Sequence, residues 1–185
     1  DRLTDEAIAF IRKNQDDPFF LYMSHYAVHA PIQADARFVQ KYYDAGLDTI
    51  EARYASMVEA MDKSLGNLMD YLEREQLSDN TIILFTGDNG TDAPIVSMMG
   101  DRRVPAGKGN MSDNGTRVPL IANWPGHIQA GQEVEEMVDL TDYLPTLAEL
   151  ADLLPDDVAL ALELKTDRFL EAQVCHQLVS ELDRT

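Results

Sequence analysis

The stretch that decides the fold runs from residue 54 to residue 90 and reads YASMVEAMDKSLGNLMDYLEREQLSDNTIILFTGDNG. Its first part repeats apolar residues at steps of three and four, which predicts one long amphipathic helix. These apolar positions are Tyr54, Met57, Val58, Met61, Leu65, Leu68, Met69 and Leu72. A polar turn follows, and TIILFT (81–86) is then apolar enough for a strand that is buried on both faces. Helix, turn and buried strand make half of a β-α-β unit, so the sequence predicts an α/β fold.

The sequence on either side predicts further helices and strands. Residues 3–13 have helical spacing, and residues 36–46 read as a shorter helix that ends near a glycine. FFLYMSH (19–25) and VPLIANWPG (118–126) have the length and composition of strands, the second of them buried. Residues 137–153 read as a short strand followed by a helix. We therefore expect one mostly parallel sheet, flanked by helices, in which these strands join the buried strand above.

Two further segments are read as a loop and as a tail. Residues 91–116 show no hydrophobic period and read as a long loop, and loops of that length are usually functional. Residues 157–183 read as helical and contain Cys175, the only cysteine, which excludes an internal disulfide. The predicted organisation is one domain over residues 1–153, followed by a helical tail over residues 154–185.

Composition excludes several classes of function. The chain has 185 residues, of which 45% are hydrophobic, enough for one domain with a core. Its net charge of −18 disfavours nucleic acid and anionic membranes as partners. No apolar run approaches the roughly 20 residues that a membrane helix needs. The chain opens inside a helical pattern and without Met, so we expect it to be a fragment of a longer protein.

Polar residues follow the predicted strands at the ends where ligands collect in open α/β sheets. Asp88 and Asn89 come directly after one strand, His25 ends another, and His29 follows it. Lys108 stands between two glycines in the long loop. Asn-Gly after a strand also predicts a β-hairpin turn, whereas a carboxylate beside an amide suits a hard cation such as calcium. From these residues alone both interpretations stay open.

Four blocks of the sequence resemble, in the same order, the second half of the catalytic domain of the sulfatases. The blocks are FFLYMSHYAVHAPIQA (19–34), the stretch 54–90 quoted above, GKGNMSDNGTRVPLIANWPG (107–126) and DLTDYLPTLAELA (139–151). The likeness extends from about residue 3 to residue 153. Sulfatases belong to the alkaline-phosphatase superfamily. The resemblance implies that fold and a calcium-dependent hydrolysis of sulfate esters, in which a formylglycine residue is the nucleophile.

The resemblance also assigns roles to four residues. It places one calcium ion on Asp88 and Asn89, and it brings Lys108 to the sulfate group. His29, in the VHAP segment, takes the position that faces the sulfate and the leaving group, whereas His25 matches no such position. The implied substrate is a sulfated small molecule or a sulfated glycan.

The sequence departs from the family pattern in several places. The Cys/Ser-x-Pro/Ala-x-Arg motif of the nucleophile is absent, and Cys175 in CHQLV does not supply it. The paired aspartates that follow the family's first strand are absent too. Asp113, Asn114 and Gly115 stand where the family commonly has Glu-Gly-Gly, and Asn is expected to tolerate a positive φ there. Residues 154–185 match nothing in the family.

Two other functions compete with this interpretation. One is a phosphodiesterase of the same superfamily, although such sites usually hold two metals and the Gly-Lys-Gly loop argues against it. The other is a non-catalytic acidic module that binds calcium or a partner protein. Since the nucleophile motif is absent, we expect this chain by itself to be inactive.

Overall fold

The computed structural model describes residues 2–153 and residues 159–164. Nearly all predicted helices and strands are present, with bounds close to those expected. The helices are α1 (Arg2–Asn14), α2 (Val39–Asp44), α3 (Thr49–Arg74), α4 (Asp113–Thr116) and α5 (Tyr143–Leu153), with 3-10 turns at Ser78–Asn80 and Leu140–Asp142. The strands are β1 (Phe20–Tyr22), β2 (Thr81–Thr86), β3 (Val96–Met99), β4 (Arg102–Pro105), β5 (Leu120–Asn123) and β6 (Ala159–Leu164).

The main sheet has four strands in the order β1-β6-β2-β5. Strand β6 runs parallel to both of its neighbours, and β5 runs antiparallel to β2. The three strands predicted near residues 18–24, 81–86 and 118–123 therefore lie in one mostly parallel sheet, as expected. Since β1, β6 and β2 point the same way, their carboxyl ends meet at one edge of the sheet.

Helices cover both faces of this sheet. Strand β2 alternates its side chains between the faces, so Ile83 packs in one core cluster, and Ile82 and Leu84 pack in the other. The first cluster lies against α1 and α3, where Ile11 and Leu72 are almost fully buried. The second lies against α5 and contains the buried residues Trp124, Tyr143 and Leu147. The result is a three-layered α/β/α arrangement that fixes the position of β2.

Helix α3 begins and ends at residues suited to those positions. The side chain of Asp48 is the N-cap and accepts hydrogen bonds from the backbone N–H groups of Ile50 and Glu51. After the helix, Gln76 has a positive φ of 61°, and Leu77 donates its N–H to the Leu72 carbonyl. This turn delivers the chain into β2.

The apolar stripe predicted on α3 is only partly buried. Leu68 and Leu72 pack in the core, but Val58 and Met69 are each 38% exposed. The buried face of the first half of α3 is made instead of small residues, chiefly Ala52 and Ser56. Ser56 accepts a hydrogen bond from the Asp35 backbone N–H at 3.0 Å, so a loop lies close against the helix there and leaves no room for large side chains. Tyr54 and Met61 line a cleft.

The prediction that the strand of residues 118–126 is buried was wrong. All four residues of β5 are exposed, and Ile121 has 57% of its surface in solvent. An apolar run looks the same in sequence whether its strand is central or at an edge, and β5 is at the edge. The predicted short strand before α5 is also absent, because residues 140–142 form a 3-10 turn.

The long loop and the tail contain more structure than expected. Residues 91–116 include the two-stranded sheet of β3 and β4 and the short helix α4. In the tail, residues 159–164 form strand β6 in place of the predicted helix. The remaining tail residues, including Cys175, lie outside the described residues. Of the helices that the structure describes, none has both the length and the apolar character that a membrane span requires.

Candidate active site

A cleft with a volume of about 270 Å³ opens at the carboxyl ends of β1 and β2. His29 reaches it from the loop after β1, and Asp88 and Asn89 reach it from the turn after β2. Lys108 reaches it from the segment between β4 and α4. The structure thus brings together the four residues to which the sequence resemblance assigns roles.

Asp88 carries a buried oxygen that has no protein partner. Its Oδ2 accepts a hydrogen bond from the Asn89 side-chain amide, but its Oδ1 is shielded from solvent and has no hydrogen-bond partner among the described residues. A buried carboxylate oxygen without a partner costs free energy, so it needs a compensating donor or cation. Asp88 Oδ1 is therefore an atom at which a hydrogen-bond donor or a cation would be stabilising.

The turn after β2 is not a β-hairpin. The antiparallel partner of β2 is β5, which comes more than thirty residues later in the chain. Strand β3 pairs only with β4, in the separate sheet. The Asn-Gly pair at residues 89–90 therefore does not form the hairpin turn that its sequence favours.

His29 is held by its own neighbourhood. Its Nδ1 lies 2.7 Å from the Ala30 carbonyl oxygen, and its ring contacts the Tyr26 ring at 5.4 Å between centroids. Because a carbonyl oxygen can only accept, Nδ1 carries the proton in this contact. The Nε2 atom is then the nitrogen that remains available, and it can donate only when the ring is doubly protonated.

Lys108 is half-buried, and it has no ion pair or hydrogen bond to its side chain among the described residues. Its backbone N–H and that of Gly107 both donate to the carbonyl oxygen of Thr91, each at 3.0 Å. The loop that carries the lysine is therefore attached to the segment that follows the Asp88–Asn89 turn. Its ammonium group is a cation without a partner in the part of the chain that the structure describes.

Three glycines allow these segments to approach one another closely. A Cβ atom on Gly90 would lie 1.8 Å from the Asn114 carbonyl oxygen, and one on Gly107 would lie 2.3 Å from the Asn114 carbonyl carbon. A Cβ on Gly115 would lie 2.0 Å from the Asn110 carbonyl oxygen. All three distances are far below a normal contact, so only glycine fits at these positions.

Residues 113–115 adopt a different backbone from the one expected. Asn114 lies within the short helix α4, and Gln76 is the only residue other than glycine with a positive φ in the described part of the chain. The tolerance of Asn for positive φ is therefore not used. What this segment requires is a glycine at position 115, where the backbone of the Gly-Lys-Gly loop comes close.

His25 lies apart from the cleft. Its Nε2 is 3.3 Å from the Ser64 hydroxyl, which in turn is 2.6 Å from the Thr4 hydroxyl in the interior between α1 and α3. Burial lowers the pKa of His25 and so favours the neutral ring. It has a structural position, in agreement with the absence of a matching position in the sequence comparison above.

Two hydroxyl-bearing residues of the cleft, Tyr54 and Thr91, were not predicted from the sequence. Tyr54 lies on α3, and its hydroxyl is 3.1 Å from the Thr91 hydroxyl across the cleft wall. Tyr54 belongs to the apolar stripe predicted on α3. A count of hydrophobic positions treats the whole residue as apolar and so overlooks its hydroxyl group. The sequence signal that could have identified it is a tyrosine as the first residue of the stripe, where its hydroxyl can lie beyond the apolar core.

The described residues do not by themselves form a complete metal site. Among them, no three His, Cys, Asp or Glu side chains are grouped closely enough to hold a metal ion. Asp88 and Asn89 fit a calcium ion by the chemistry of their oxygens and by the unpartnered Oδ1. Calcium takes about six to eight oxygens, so a complete cage needs further ligands.

Comparison with known proteins relates the chain to one family. The family model described as Sulfatase matches residues 1–153. The human steryl-sulfatase is 36% identical over 84% of this chain and 27% of its own length. The mouse N-acetylgalactosamine-6-sulfatase is 35% identical over 82% of this chain and 29% of its own length. The chain therefore spans between a quarter and a third of the curated relatives that it matches.

Solved structures agree with this relationship. The crystal structure of Ps i-CgsB superposes with a TM-score of 0.71 at 32% sequence identity, over 84% of this chain and 34% of that one. The same protein in complex with k-i-k-neocarrahexaose gives a TM-score of 0.70. The likeness in fold thus extends over most of the chain.

Proposed function

Because this chain belongs to the sulfatase family, we propose that the protein containing it hydrolyses sulfate monoesters at the cleft that holds His29, Asp88 and Lys108. The observation that supports this most is that a lysine and a carboxylate oxygen, both without a partner among the described residues, converge on one cleft. Together they suit a site in which the carboxylate binds a cation, and an anion is held by that cation and by the lysine. The −18 net charge makes such local positive groups necessary for a sulfate ester to bind.

Lys108 is the proposed contact to the sulfate oxygens. Its ammonium group offsets the negative charge as that charge shifts in the transition state, which is where electrostatic stabilisation lowers a barrier most. The attachment of its backbone to Thr91 keeps the side chain at the mouth of the cleft.

His29 is the proposed proton donor to the departing alcohol oxygen. The Ala30 carbonyl fixes the proton on Nδ1, so the proton for the leaving group has to come from Nε2 of a doubly protonated ring. The contact with Tyr26 restricts rotation of the ring. Substitution of His29 is therefore expected to harm substrates with poor leaving groups more than activated aryl sulfates.

Asp88 and Asn89 are the proposed protein ligands of one calcium ion. The unpartnered Asp88 Oδ1 and the Asn89 side-chain oxygen are the atoms that would hold it. A bound calcium ion would draw negative charge from the sulfate oxygens. The nucleophile and the remaining ligands would come from segments that this chain does not match, and formylglycine is the nucleophile that the family implies.

The proposed substrate is a sulfated small molecule or a sulfated glycan. The relatives include a steryl-sulfatase and an N-acetylgalactosamine-6-sulfatase, and the similar Ps i-CgsB has been solved with an oligosaccharide. The cleft wall contributed by α3 and β2 is largely apolar, and Val58, Met61 and Phe85 line it. The names of these relatives indicate an apolar alcohol, a sterol, in one case and a polar sugar in the other. The sulfate group is therefore the part of the substrate that they share.

The test is turnover of p-nitrophenyl sulfate by a full-length protein that carries this chain. We expect Lys108→Ala to lower kcat/KM by about 100-fold or more, as loss of one charge-stabilising group typically does. The matched control is Lys63→Ala, which removes an exposed lysine on α3 whose ammonium group donates to the Asn67 side chain. Full activity in Lys108→Ala would refute the proposed role.

The same preparation distinguishes the competing functions. Turnover of bis-p-nitrophenyl phosphate in place of the sulfate ester would identify a phosphodiesterase. Absence of both activities, together with calcium binding, would identify the non-catalytic module.

A further inference from the structure

We infer that Tyr54 and Thr91 form a positioning device that sets the place of Lys108. The device joins helix α3, the segment after the Asp88–Asn89 turn and the Gly-Lys-Gly loop. All three residues line the same cleft. The inference rests on the proposed function only for the identity of the ligand that Lys108 contacts.

Thr91 uses its backbone to hold the lysine loop. Its carbonyl oxygen accepts the N–H groups of both Gly107 and Lys108, each at 3.0 Å. A carbonyl oxygen has two lone pairs, so its capacity is filled by these two bonds. Two consecutive N–H groups on one acceptor fix both the position and the direction of the backbone at the lysine.

Thr91 uses its side chain to hold α3. Its hydroxyl lies 3.1 Å from the Tyr54 hydroxyl, a contact between residues 37 positions apart in the chain. Both side chains are half-buried at the cleft wall, where a hydrogen bond is less exposed to competing water. Helix α3 is anchored in the core by Leu68 and Leu72, so it offers Thr91 a rigid attachment.

No other hydrogen bond of the described residues joins α3 to the segment of residues 87–92 or to the Gly-Lys-Gly loop. The other backbone hydrogen bonds between these segments join one loop to another, since Gly90 donates to Gly115 and Ala106 donates to Ile95. These bonds hold the loops to each other. Among the described hydrogen bonds, the Tyr54–Thr91 bond is the one that joins these loops to α3.

The first experiment measures amide hydrogen exchange in this chain and needs neither substrate nor metal. We expect Tyr54→Phe to speed exchange at the Gly107 and Lys108 amides by about tenfold, because the bond that fixes their acceptor is lost. Exchange at the Ile83 and Leu84 amides of β2 should stay unchanged. Tyr71→Phe is the matched control, since it removes a hydroxyl from the same helix about 25 Å further along its axis.

Thr91 variants test whether the two hydroxyls act as one unit. Thr91→Val should reproduce the effect of Tyr54→Phe, and the double variant should add nothing further. Thr91→Ser keeps the hydroxyl and should restore slow exchange. A merely structural loss of stability would instead speed exchange throughout β2 and would not be rescued selectively by serine.

The second experiment uses the full-length protein and p-nitrophenyl sulfate. Tyr54→Phe should lower kcat/KM by about tenfold, and Tyr71→Phe should match the wild type. If the wild type itself has no activity, the proposed function fails, but the exchange result still decides the positioning role. Unchanged exchange at residues 107 and 108 in Tyr54→Phe, or additive effects in the double variant, would overturn the inference.

Discussion

At the scale of single residues, the cleft depends on glycine wherever one backbone meets another. Gly90, Gly107 and Gly115 each face a carbonyl group at a distance that leaves no space for a Cβ atom. Gly107 belongs to the Gly-Lys-Gly pattern of the sequence. In the structure, the absence of a Cβ atom at this position lets its backbone lie against Asn114. Its partner Gly109 has open space around it and a φ of +83°, so the two glycines are required for different reasons.

Substitution of Gly115 by alanine should destabilise the fold. The added methyl group would lie 2.0 Å from the Asn110 carbonyl oxygen, and backbone atoms on both sides would have to move. We expect a loss of about 1–3 kcal/mol in the free energy of unfolding, as is typical of overpacked sites. Urea denaturation of purified Gly115→Ala measures it.

Gly66→Ala is the matched control for this loss. It adds the same methyl group within α3, where no atom lies within 4 Å. It should raise stability by about 0.5–1 kcal/mol, because alanine favours the helix. A Gly115→Ala variant as stable as the wild type would contradict the close packing of the two loops.

Much of the site at this scale was predictable from sequence, and the reason is physical. Asp88, Asn89 and His29 follow strands whose ends share one edge of the sheet, so a correct fold prediction places them together. Tyr54 could not be assigned in this way. Hydrophobic periodicity counts a tyrosine as apolar, and only the structure shows that its hydroxyl meets Thr91.

At the scale of helices and strands, predictions succeeded where one signal dominates. Strand β2 was predicted to the residue, because its apolar run is bounded by polar turns. Strand β5 was placed correctly but given the wrong burial, since an edge strand and a central strand can share one sequence pattern. The tail strand β6 was missed because its alternation of alanine and leucine also fits a helix.

Helix α5 follows a capping box that should make its stability depend on pH. The Asp139 side chain accepts the Thr141 N–H at 2.9 Å, and Asp142 accepts the Asp139 N–H at 2.7 Å. The bond from Thr141 lowers the pKa of Asp139 below its ordinary value. A carboxyl whose pKa is depressed in the folded state stabilises the fold above its unfolded pKa, and it loses this effect as pH falls through the folded value.

Asp139→Ala should therefore lower Tm at neutral pH, and the difference from the wild type should vanish in acid. Thermal unfolding followed by circular dichroism across this range measures it. Asp70→Ala, which removes an exposed carboxyl from α3, is the control and should show no such convergence. A gap between Asp139→Ala and the wild type that persists unchanged in acid would show that the cap does not depend on the charge of Asp139.

At the scale of the whole molecule, the described residues form a folded core with exposed apolar surface. Large apolar side chains are exposed at β3, with Met98 and Met99 at 62% and 65%, and Met111 is 99% exposed. Exposed apolar surface of this kind marks places where other protein chain commonly packs. The relatives are three to four times as long as the matched part, so they contain chain that could cover such surface.

The chain by itself should show no sulfatase activity and only weak calcium binding. Asp88 and Asn89 offer about two or three of the six to eight oxygens that calcium prefers. Without a covalent nucleophile, the rate should fall by many orders of magnitude. Turnover of p-nitrophenyl sulfate and calorimetric titration with calcium measure both. Turnover that survives Cys175→Ala and disappears in Lys108→Ala would reveal a nucleophile within the chain and would contradict this expectation.

Strand β6 should be essential to the stability of the chain, although it lies beyond residues 1–153, which the family model matches. It is the only described strand between β1 and β2, and three of its residues, Leu160, Ala161 and Leu162, have partners on both sides. Removing it would leave two buried parallel edges with unpaired N–H and C=O groups, which cost free energy and promote aggregation.

A chain that ends at residue 153 should therefore lose its cooperative thermal transition or aggregate, whereas a chain that ends at residue 164 should keep it. Leu162→Pro in the complete chain should act like the shorter truncation, because proline removes an N–H from the middle of a central strand. Circular dichroism and light scattering during heating distinguish these outcomes. If the chain of residues 1–153 unfolds at the same temperature as the complete chain, β1 and β2 do not depend on β6, and the sheet must be closed in another way.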